Sequence, residues 1–171
     1  MKILVVSDSH GDRDVLVELK ELYQNKMDRM FHCGDSELEA TDEIWDSFVT
    51  VKGNMDFDEQ LKLEQVVEVG NERFFMVHGH YHDVKVTMVP LLNAAKEANA
   101  HFAFFGHSHE LGVEKKEGIL LLNPGSILQP RGRYNIKTYA IIDIEEKGIT
   151  VSYYDREHQL IDDLVVHFAR S

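Results

Sequence analysis

The sequence predicts one α/β domain over residues 1–171, built from two packed mixed β-sheets flanked by helices. In the first two thirds of the chain, short apolar runs alternate with amphipathic segments, which indicates strands that alternate with helices. The last third consists of strand-like runs separated by turn residues, which predicts an antiparallel meander. The length is that of one ordinary domain, and no Pro/Gly/Ser-rich linker divides the chain.

The first elements alternate strand and helix. Lys2 to Val6 is a β-branched apolar run that predicts a strand, and Gly11-Asp12 then opens a helix with one apolar face. Met30 to Cys33 and Val49 to Lys52 predict two further strands. Between them, Leu38 to Phe48 predicts a second helix, and the acidic stretch Glu37 to Asp46 is predicted to be a solvated helix face.

The middle of the chain predicts a hairpin, a helix and a strand. Leu63 to Val69 and Arg73 to Val77 pair across Gly70-Asn71, a turn dipeptide. A third helix runs from Val86 to Ala98, and His101 to Phe105 forms the strand after it. The meander that follows is predicted from five runs: Gly112 to Lys116, Ile119 to Leu122, Thr138 to Ile144, Ile149 to Tyr154 and Leu164 to Phe168.

Charge and cysteine content narrow the classes of function. The formal net charge of −12 disfavours nucleic acid and membrane headgroups as partners, because an acidic surface repels them. No apolar run approaches the ~20 residues that span a bilayer. The single cysteine, Cys33, excludes an internal disulfide framework, and no signal peptide is visible after Met1-Lys2, so a cytoplasmic location is expected.

Five predicted strands end in the same way, with an apolar run, a small residue and then a potential metal ligand. The carboxyl ends of parallel strands line the ligand crevice of α/β sheets, so the five ends converge if the strands share one sheet. Where the small residue is glycine, the backbone can turn sharply because there is no Cβ to clash. The seven candidate ligands are Asp8, His10, Asp35, Asn54, one histidine of the pair His78 and His80, His107 and His109.

The spacing and the kinds of side chain indicate metal ions. In extended backbone, residues i and i+2 point to the same side, so Asp8/His10 and His107/His109 can each present two ligands in one direction. Imidazole and carboxylate together suit Mn, Fe, Zn, Ni or Co. Seven ligands are too many for one tetrahedral zinc, and they divide naturally between two cations that share a carboxylate.

Each cluster alone also fits a structural role. Gly34-Asp35 and Gly53-Asn54 are ordinary turn dipeptides, and Asp8-Ser9-His10 could be a strand end followed by a helix cap. The occurrence of five such strand ends in one short chain is what favours a metal centre.

The full series Asp-x-His, Gly-Asp, Gly-Asn, His-Gly-His, Gly-His-x-His resembles that of the calcineurin-like metallophosphoesterases. It is most similar to their small phosphodiesterases of the YfcE type, from residue 2 to about residue 131, including the stretch Asn123-Pro124-Gly125-Ser126. The resemblance implies a four-layer α/β/β/α sandwich. It also implies that Asp8, His10 and His109 hold one metal, that Asn54, His78 and His107 hold the other, and that Asp35 bridges them.

The resemblance further implies a binuclear phosphodiesterase that acts on a small phosphate ester. Two cations about 3.5–4 Å apart can bridge a water and make hydroxide available at neutral pH. Manganese is the expected metal, with Fe, Ni, Zn or Co as alternatives, and assembly into a homo-oligomer is compatible with the sequence. An alternative is a binding or scaffold protein of the same fold, as in the small subunit of the retromer coat. A nuclease of the superfamily fits the acidic charge less well.

The sequence departs from the family at one position. Many members follow Gly-Asn with a histidine that helps the leaving oxygen, whereas this chain reads Gly53-Asn54-Met55-Asp56. Because a methionine carries no proton, His80 is the predicted catalytic acid, and the resemblance places it facing the substrate. Asp56 is a weaker candidate for the acid and could instead anchor the loop.

Overall fold

Residues 1–170, which the computed structural model describes, form eleven β-strands, two α-helices and two single turns of 3₁₀ helix. The helices are α1 (Arg13–Tyr23) and α2 (Val89–Glu97), and the 3₁₀ turns are Glu43–Asp46 and Asp162–Leu164. The strands are β1 (Lys2–Val6), β2 (Arg29–His32), β3 (Val49–Thr50), β4 (Glu64–Val69), β5 (Glu72–Val77), β6 (Phe102–Phe104), β7 (Gly112–Lys116), β8 (Ile119–Asn123), β9 (Thr138–Ile144), β10 (Gly148–Asp155) and β11 (Val166–Ala169).

The strands form two mixed sheets. The six-stranded sheet has the order β11-β10-β9-β1-β2-β3, in which β1, β2 and β3 run parallel. The five-stranded sheet has the order β4-β5-β6-β8-β7, in which β5, β6 and β8 run parallel. The predicted hairpin is confirmed as β4 and β5, which pair from Glu64 with Val77 to Val69 with Glu72.

Alternating side chains divide the strands between three apolar cores. In β1, Ile3 and Val5 face the core between the two sheets, whereas Leu4 and Val6 pack under α1 on the outer side. The five-stranded sheet behaves in the same way, with Met76 facing inward and Val77 packing under α2. Each buried strand therefore supplies two cores, as the period of two in a strand requires. The predicted four-layer α/β/β/α arrangement is confirmed.

The predicted helix over Leu38 to Phe48 is wrong, because only the 3₁₀ turn Glu43–Asp46 forms there. Side chains take the backbone N–H groups that a helix would use. Ala40 N–H donates to Asp58 Oδ2 at 2.8 Å, and Ile44 N–H donates to Asp42 Oδ1 at 2.9 Å. Such side-chain acceptors compete with the helical ladder, and here the competition keeps the segment irregular.

The last third does not form one meander. β7 and β8 belong to the five-stranded sheet, where β8 runs parallel to β6, whereas β9, β10 and β11 join the six-stranded sheet beside β1. All five residues of β8 are buried, which is typical of a central strand covered on both faces. Neither α-helix in the described part of the chain has the length and apolar character that crossing a membrane requires.

His32 at the end of β2 gives a prediction for stability against pH. Gly34 N–H donates to its Nδ1 at 3.1 Å, so its Nε2 carries the proton and meets Ser9 Oγ at 2.8 Å. Burial lowers the pKa of His32 to about 4, because the imidazolium would lose its hydration. The unfolded chain takes up this proton first as the pH falls below 6.5. Neutral His32 therefore makes its full contribution to the free energy of unfolding above pH 6.5. We expect this contribution to fall by about 3 kcal/mol as the pH is lowered towards 4.

Urea unfolding of chelator-treated protein at several pH values measures this effect. His32→Asn keeps an acceptor for Gly34 N–H and does not titrate, so its unfolding free energy should fall less steeply over the same range. Equal slopes for the two proteins would contradict a neutral, buried His32.

Candidate metal centre

The predicted strand ends do converge, but from two sheets rather than one. β1, β2 and β3 lie in one sheet, and β5 and β6 lie in the other. Backbone hydrogen bonds tie the loops together: Asp8 N–H donates to Gly34 O at 3.1 Å, and Gly106 N–H donates to His78 O at 2.9 Å. Two further hydrogen bonds cross between the sheets: His78 Nδ1 donates to Cys33 O at 2.8 Å, and His107 N–H donates to Asp8 Oδ2 at 3.2 Å. The carboxyl ends of both sets of parallel strands therefore open on the same side.

The ligand-bearing loops leave the extended conformation. Asp8, His10, Asp35, His107 and His109 have φ values of 55, 42, 56, 69 and 60°, in the left-handed region. The argument that residues i and i+2 share a direction therefore does not apply to these pairs, because it holds only in extended backbone, although Asp8 and His10 still meet in one cluster. Left-handed non-glycine residues cost about 1–3 kcal/mol each and cluster at functional sites.

Two glycines allow the loops to approach each other. A Cβ on Gly53 would lie 2.1 Å from Asp35 Oδ1, and one on Gly106 would lie 2.2 Å from Ser7 Oγ and 2.5 Å from Asp8 Oδ2. No side chain fits at either position, so both glycines are required for the close packing of the carboxylates.

Asp8, His10, Asp35 and His109 form one cluster, in which each residue offers a ligand atom within 4.8 Å of the others. His109 Nε2 lies 3.1 Å from His10 Nε2 and 3.2 Å from Asp8 Oδ1. Asp8 is buried, and its Oδ1 atom has no hydrogen-bond partner among the described residues. A buried carboxylate oxygen without a donor, facing two imidazole nitrogens, fits a divalent cation.

Asn54, His78 and His107 form a second cluster beside the first. Asn54 Oδ1 lies 3.0 Å from His78 Nε2 and 3.0 Å from His107 Nδ1. His78 Nε2 is also 3.1 Å from Asp35 Oδ2, so the Asp35 carboxylate lies between the two clusters. His107 and His109 thus point into different clusters, and not in one direction as their spacing had predicted.

Outer contacts fix the orientation of three of these histidines. His78 Nδ1 donates to Cys33 O at 2.8 Å, His109 Nδ1 donates to Gln129 O at 2.7 Å, and His10 Nδ1 lies 3.2 Å from Glu37 Oε2. In each case Nε2 is left facing the centre. Metal-ligating histidines almost always have such a second partner, so the side chains present fit metal ions.

Electrostatics also suit cations. Burial opposes ionisation of Asp8, yet the nearby imidazoles of His109 and His78 hold the pKa of its carboxyl below the ordinary value. Asp35 is similar: burial acts against its charge, but His78 lowers its pKa overall. Burial lowers the pKa of His107 to about 4, which leaves a neutral imidazole with a free lone pair. Burial acts against a charged His78, but Asp35 and Asp8 raise its pKa overall, so a cation bound there would replace a proton on the ring. Ionised carboxylates and neutral imidazoles are the forms that bind metal.

His80 lies beside the second cluster rather than in it. Its ring centroid is 5.4 Å from that of His78 and 6.1 Å from that of His107. The side chain is half-buried and packs against Tyr81, and its Nδ1 atom is buried without a partner among residues 1–170. This position allows contact with a molecule bound at the clusters.

Asp56 anchors the loops instead of facing the opening. It is buried and accepts the backbone N–H groups of Asp35 at 2.9 Å, Gly53 at 2.7 Å and Glu37 at 2.7 Å. Burial raises the pKa of Asp56, although these three donors favour its ionised form. Of the two roles that the sequence allowed, these contacts favour the structural one.

Glu37 is a contact residue that sequence reasoning missed. It was assigned to a solvated helix face, but its carboxylate meets His10. The available signal was its position two residues after Asp35, inside the turn that carries a ligand.

A cavity of about 470 Å³ opens over the two clusters and is lined by His10, Asp35, Asn54, His107 and His109, together with the basic residues Lys85 and Arg131. A larger groove of about 700 Å³ lies elsewhere, near Trp45 and Leu61, and none of the seven predicted ligands lines it. The smaller cavity is therefore the one that five of the predicted ligands line, and its size is ordinary for a ligand site.

Comparison with known proteins gives consistent matches. The sequence profile of the calcineurin-like phosphoesterase superfamily domain matches residues 1–147. The probable metallophosphoesterase YsnB of Bacillus subtilis (strain 168) is 39% identical over 164 residues, which cover 96% of each chain. Phosphodiesterase MJ0936 of Methanocaldococcus jannaschii is 26% identical over 167 residues, which cover 86% of this chain and 95% of that one.

Solved structures share the fold over nearly the whole chain. The crystal structure of a predicted phosphoesterase from Streptococcus pneumoniae TIGR4 has a TM-score of 0.96 at 37% identity and covers 99% of this chain and 97% of its own. Vps29 of Entamoeba histolytica, solved with zinc, has a TM-score of 0.71 at 22% identity, with 99% and 98% covered. At that lower identity the similarity concerns the fold alone.

Proposed function

The chain belongs to the calcineurin-like phosphoesterase superfamily, and we propose that it hydrolyses phosphodiesters at a centre of two divalent cations. The observation that carries this proposal is the position of the Asp35 carboxylate, which lies within reach of both clusters of ligand atoms. A carboxylate shared in this way suits two cations about 3.5–4 Å apart. The name of the relative MJ0936 supports a diester as the substrate.

Six further side chains would divide between the cations, three to each: Asp8, His10 and His109 for the first, and Asn54, His78 and His107 for the second. Manganese suits this mixture of imidazole, carboxylate and amide, as do iron, nickel, zinc and cobalt. The unpartnered Asp8 Oδ1 and the fixed orientation of three histidines support the assignment.

When bound, such cations lower the pKa of water towards neutrality and neutralise the charge of phosphoryl oxygens. The residues of the chain then select and orient the substrate. Lys85 and Arg131 bring positive charge to the cavity mouth, whereas the chain as a whole carries a net charge of −12. This distribution favours a small phosphate ester over an extended polyanion.

His80 is proposed to donate to the leaving oxygen. Its ring lies within 5.4 Å of the ring of His78, and its buried Nδ1 has no partner of its own among the described residues. Met55 follows Asn54 where many family members carry a histidine, and its thioether cannot donate a proton. His80 is therefore the side chain that we assign to the leaving group.

Aryl phosphodiesters with leaving groups of graded pKa test this role. We expect the rate of the wild-type protein to fall steeply as the leaving-group pKa rises, because help to the leaving oxygen is limited. His80→Asn should hydrolyse nitrophenyl esters at about the wild-type rate. On unsubstituted phenyl esters its rate should be about 10²-fold lower than that of wild type. His82→Asn, two residues further on, is the matched control and should follow the wild-type line. Equal slopes for wild type and His80→Asn, or equal losses in His80→Asn and His82→Asn, would contradict the role of His80. A flat dependence in wild type would contradict the expectation that help to the leaving oxygen is limited.

Metal content and hydrolysis measured on one sample test the function itself. Protein purified without chelators should contain close to two transition-metal ions and should hydrolyse an aryl phosphodiester faster than the matching monoester when Mn²⁺ is supplied. Two bound ions without hydrolysis under any metal would favour the binding or scaffold protein of the same fold. Absence of bound metal would contradict the proposed centre altogether.

A further inference from the structure

We propose that Glu37 is a positioning residue that holds His10 in place and strengthens the binding of one cation selectively. The inference rests on the proposed function, because it assigns His10 to the first cation. Glu37 Oε2 lies 3.2 Å from His10 Nδ1, on the side of the ring that faces away from Asp8 and His109. The acceptor on Nδ1 leaves Nε2 with the lone pair directed at the cluster.

The backbone holds Glu37 for this contact. The residue has φ 58° in the left-handed region, and its N–H donates to Asp56 Oδ1 at 2.7 Å. The same Asp56 carboxylate accepts the N–H of Asp35, so the two turn residues share one buried anchor. The Glu37 side chain is 32% exposed and that of His10 is 12% exposed, which places the pair at the rim of the centre.

The contact makes the two clusters unequal. His78 and His109 each use a neutral backbone carbonyl as the outer acceptor, whereas His10 alone uses a carboxylate. A charged acceptor forms the stronger hydrogen bond and makes the imidazole a more basic ligand. The first cation would also meet the Asp8 carboxylate, where the second would meet the neutral amide of Asn54. We infer that the first cation binds more tightly and that Glu37 contributes to the difference.

Stepwise titration of metal-free protein with Mn²⁺ tests this without any assay of activity. Glu37→Ala removes the acceptor, and we expect the dissociation constant of the tighter-bound ion to rise about 10–100-fold. Glu37→Gln keeps an acceptor oxygen but removes the charge, so its effect should be smaller, about 3–10-fold. The other dissociation constant should stay within about threefold in both variants. Glu39→Gln is the control, since Glu39 is also exposed and carries the same charge two residues away.

The outcomes separate this inference from the proposed function. If wild type binds two ions and Glu37→Ala binds both with unchanged affinity, the inference fails and the proposed function stands. If Glu37→Ala weakened both binding steps equally, or if Glu39→Gln had the same effect as Glu37→Gln, the cause would be the overall negative charge near the site and not the contact with His10. Either result would also overturn the inference. If wild type binds no metal, both proposals fail together. Urea unfolding of each metal-free variant shows whether the fold is kept, and Glu37→Gln remains a test if Glu37→Ala does not fold.

Discussion

Replacing Asp35 with asparagine is expected to abolish phosphodiester hydrolysis, with kcat at least about 10³-fold lower, because the proposed metal centre supplies several kcal/mol of transition-state stabilisation. Asp35 Oδ2 lies 3.1 Å from His78 Nε2, and Oδ1 accepts the N–H of Met55 at 2.8 Å. Asparagine keeps the shape and can keep the bond to Met55, but it removes the charge that both cations would share. Both bound metal ions should therefore be lost, and not one.

Elemental analysis and steady-state kinetics on the same preparation measure this effect. Asp46→Asn makes the same chemical change at an exposed position in the following 3₁₀ turn and should leave metal content and kcat within about twofold of wild type. Activity that survived in Asp35→Asn would indicate a contaminating enzyme or a different site. Loss of one metal with the other retained would show that the carboxylate does not bridge.

The convergence of the candidate ligands could be predicted from the sequence because their signal is local. Each follows an apolar run that can form only a buried strand, and each comes with a small residue where the backbone must turn. The clash that a Cβ on Gly53 or Gly106 would make shows why those positions are glycine. The division of the strands between two sheets is not local, since β8 and β9 read alike as apolar runs but join different sheets.

The missed features are those that long-range contacts decide. Leu38 to Phe48 has a helical pattern, but side chains such as Asp58 take the N–H groups that the helix would need. Glu37 looked like one more acidic residue until the fold brought it to His10, which is 27 residues away in the chain. Fold similarity alone does not assign the activity either, since a chain only 22% identical shares the architecture. The set of side chains at the strand ends is what distinguishes the proposed function.

Truncating Asp56 is expected to have the largest effect on folding, because this one buried carboxylate accepts three backbone N–H groups. In Asp56→Ala these donors would be left without their acceptor: those on Asp35 and Gly53 are buried, and the one on Glu37 is part-buried. We expect the free energy of unfolding of metal-free protein to fall by about 3–5 kcal/mol, since each buried unpaired donor costs roughly 1–3 kcal/mol. Urea unfolding at neutral pH measures the difference.

Asp56→Asn should give an intermediate loss, for a reason that depends on the geometry of the anchor. Its single amide oxygen can occupy the place of Oδ2 and still accept from Asp35 and Gly53, but the amide nitrogen would then face the Glu37 N–H, donor against donor. The matched control is Asp58→Asn, because Asp58 also accepts two backbone N–H groups but is half-exposed, so water can replace it at a cost below about 1 kcal/mol. The predicted order of stability is therefore wild type, Asp58→Asn, Asp56→Asn and Asp56→Ala. If Asp56→Ala unfolded within 1 kcal/mol of the Asp58 variant, the loops that carry Asp35, Glu37 and Asn54 would not depend on this anchor.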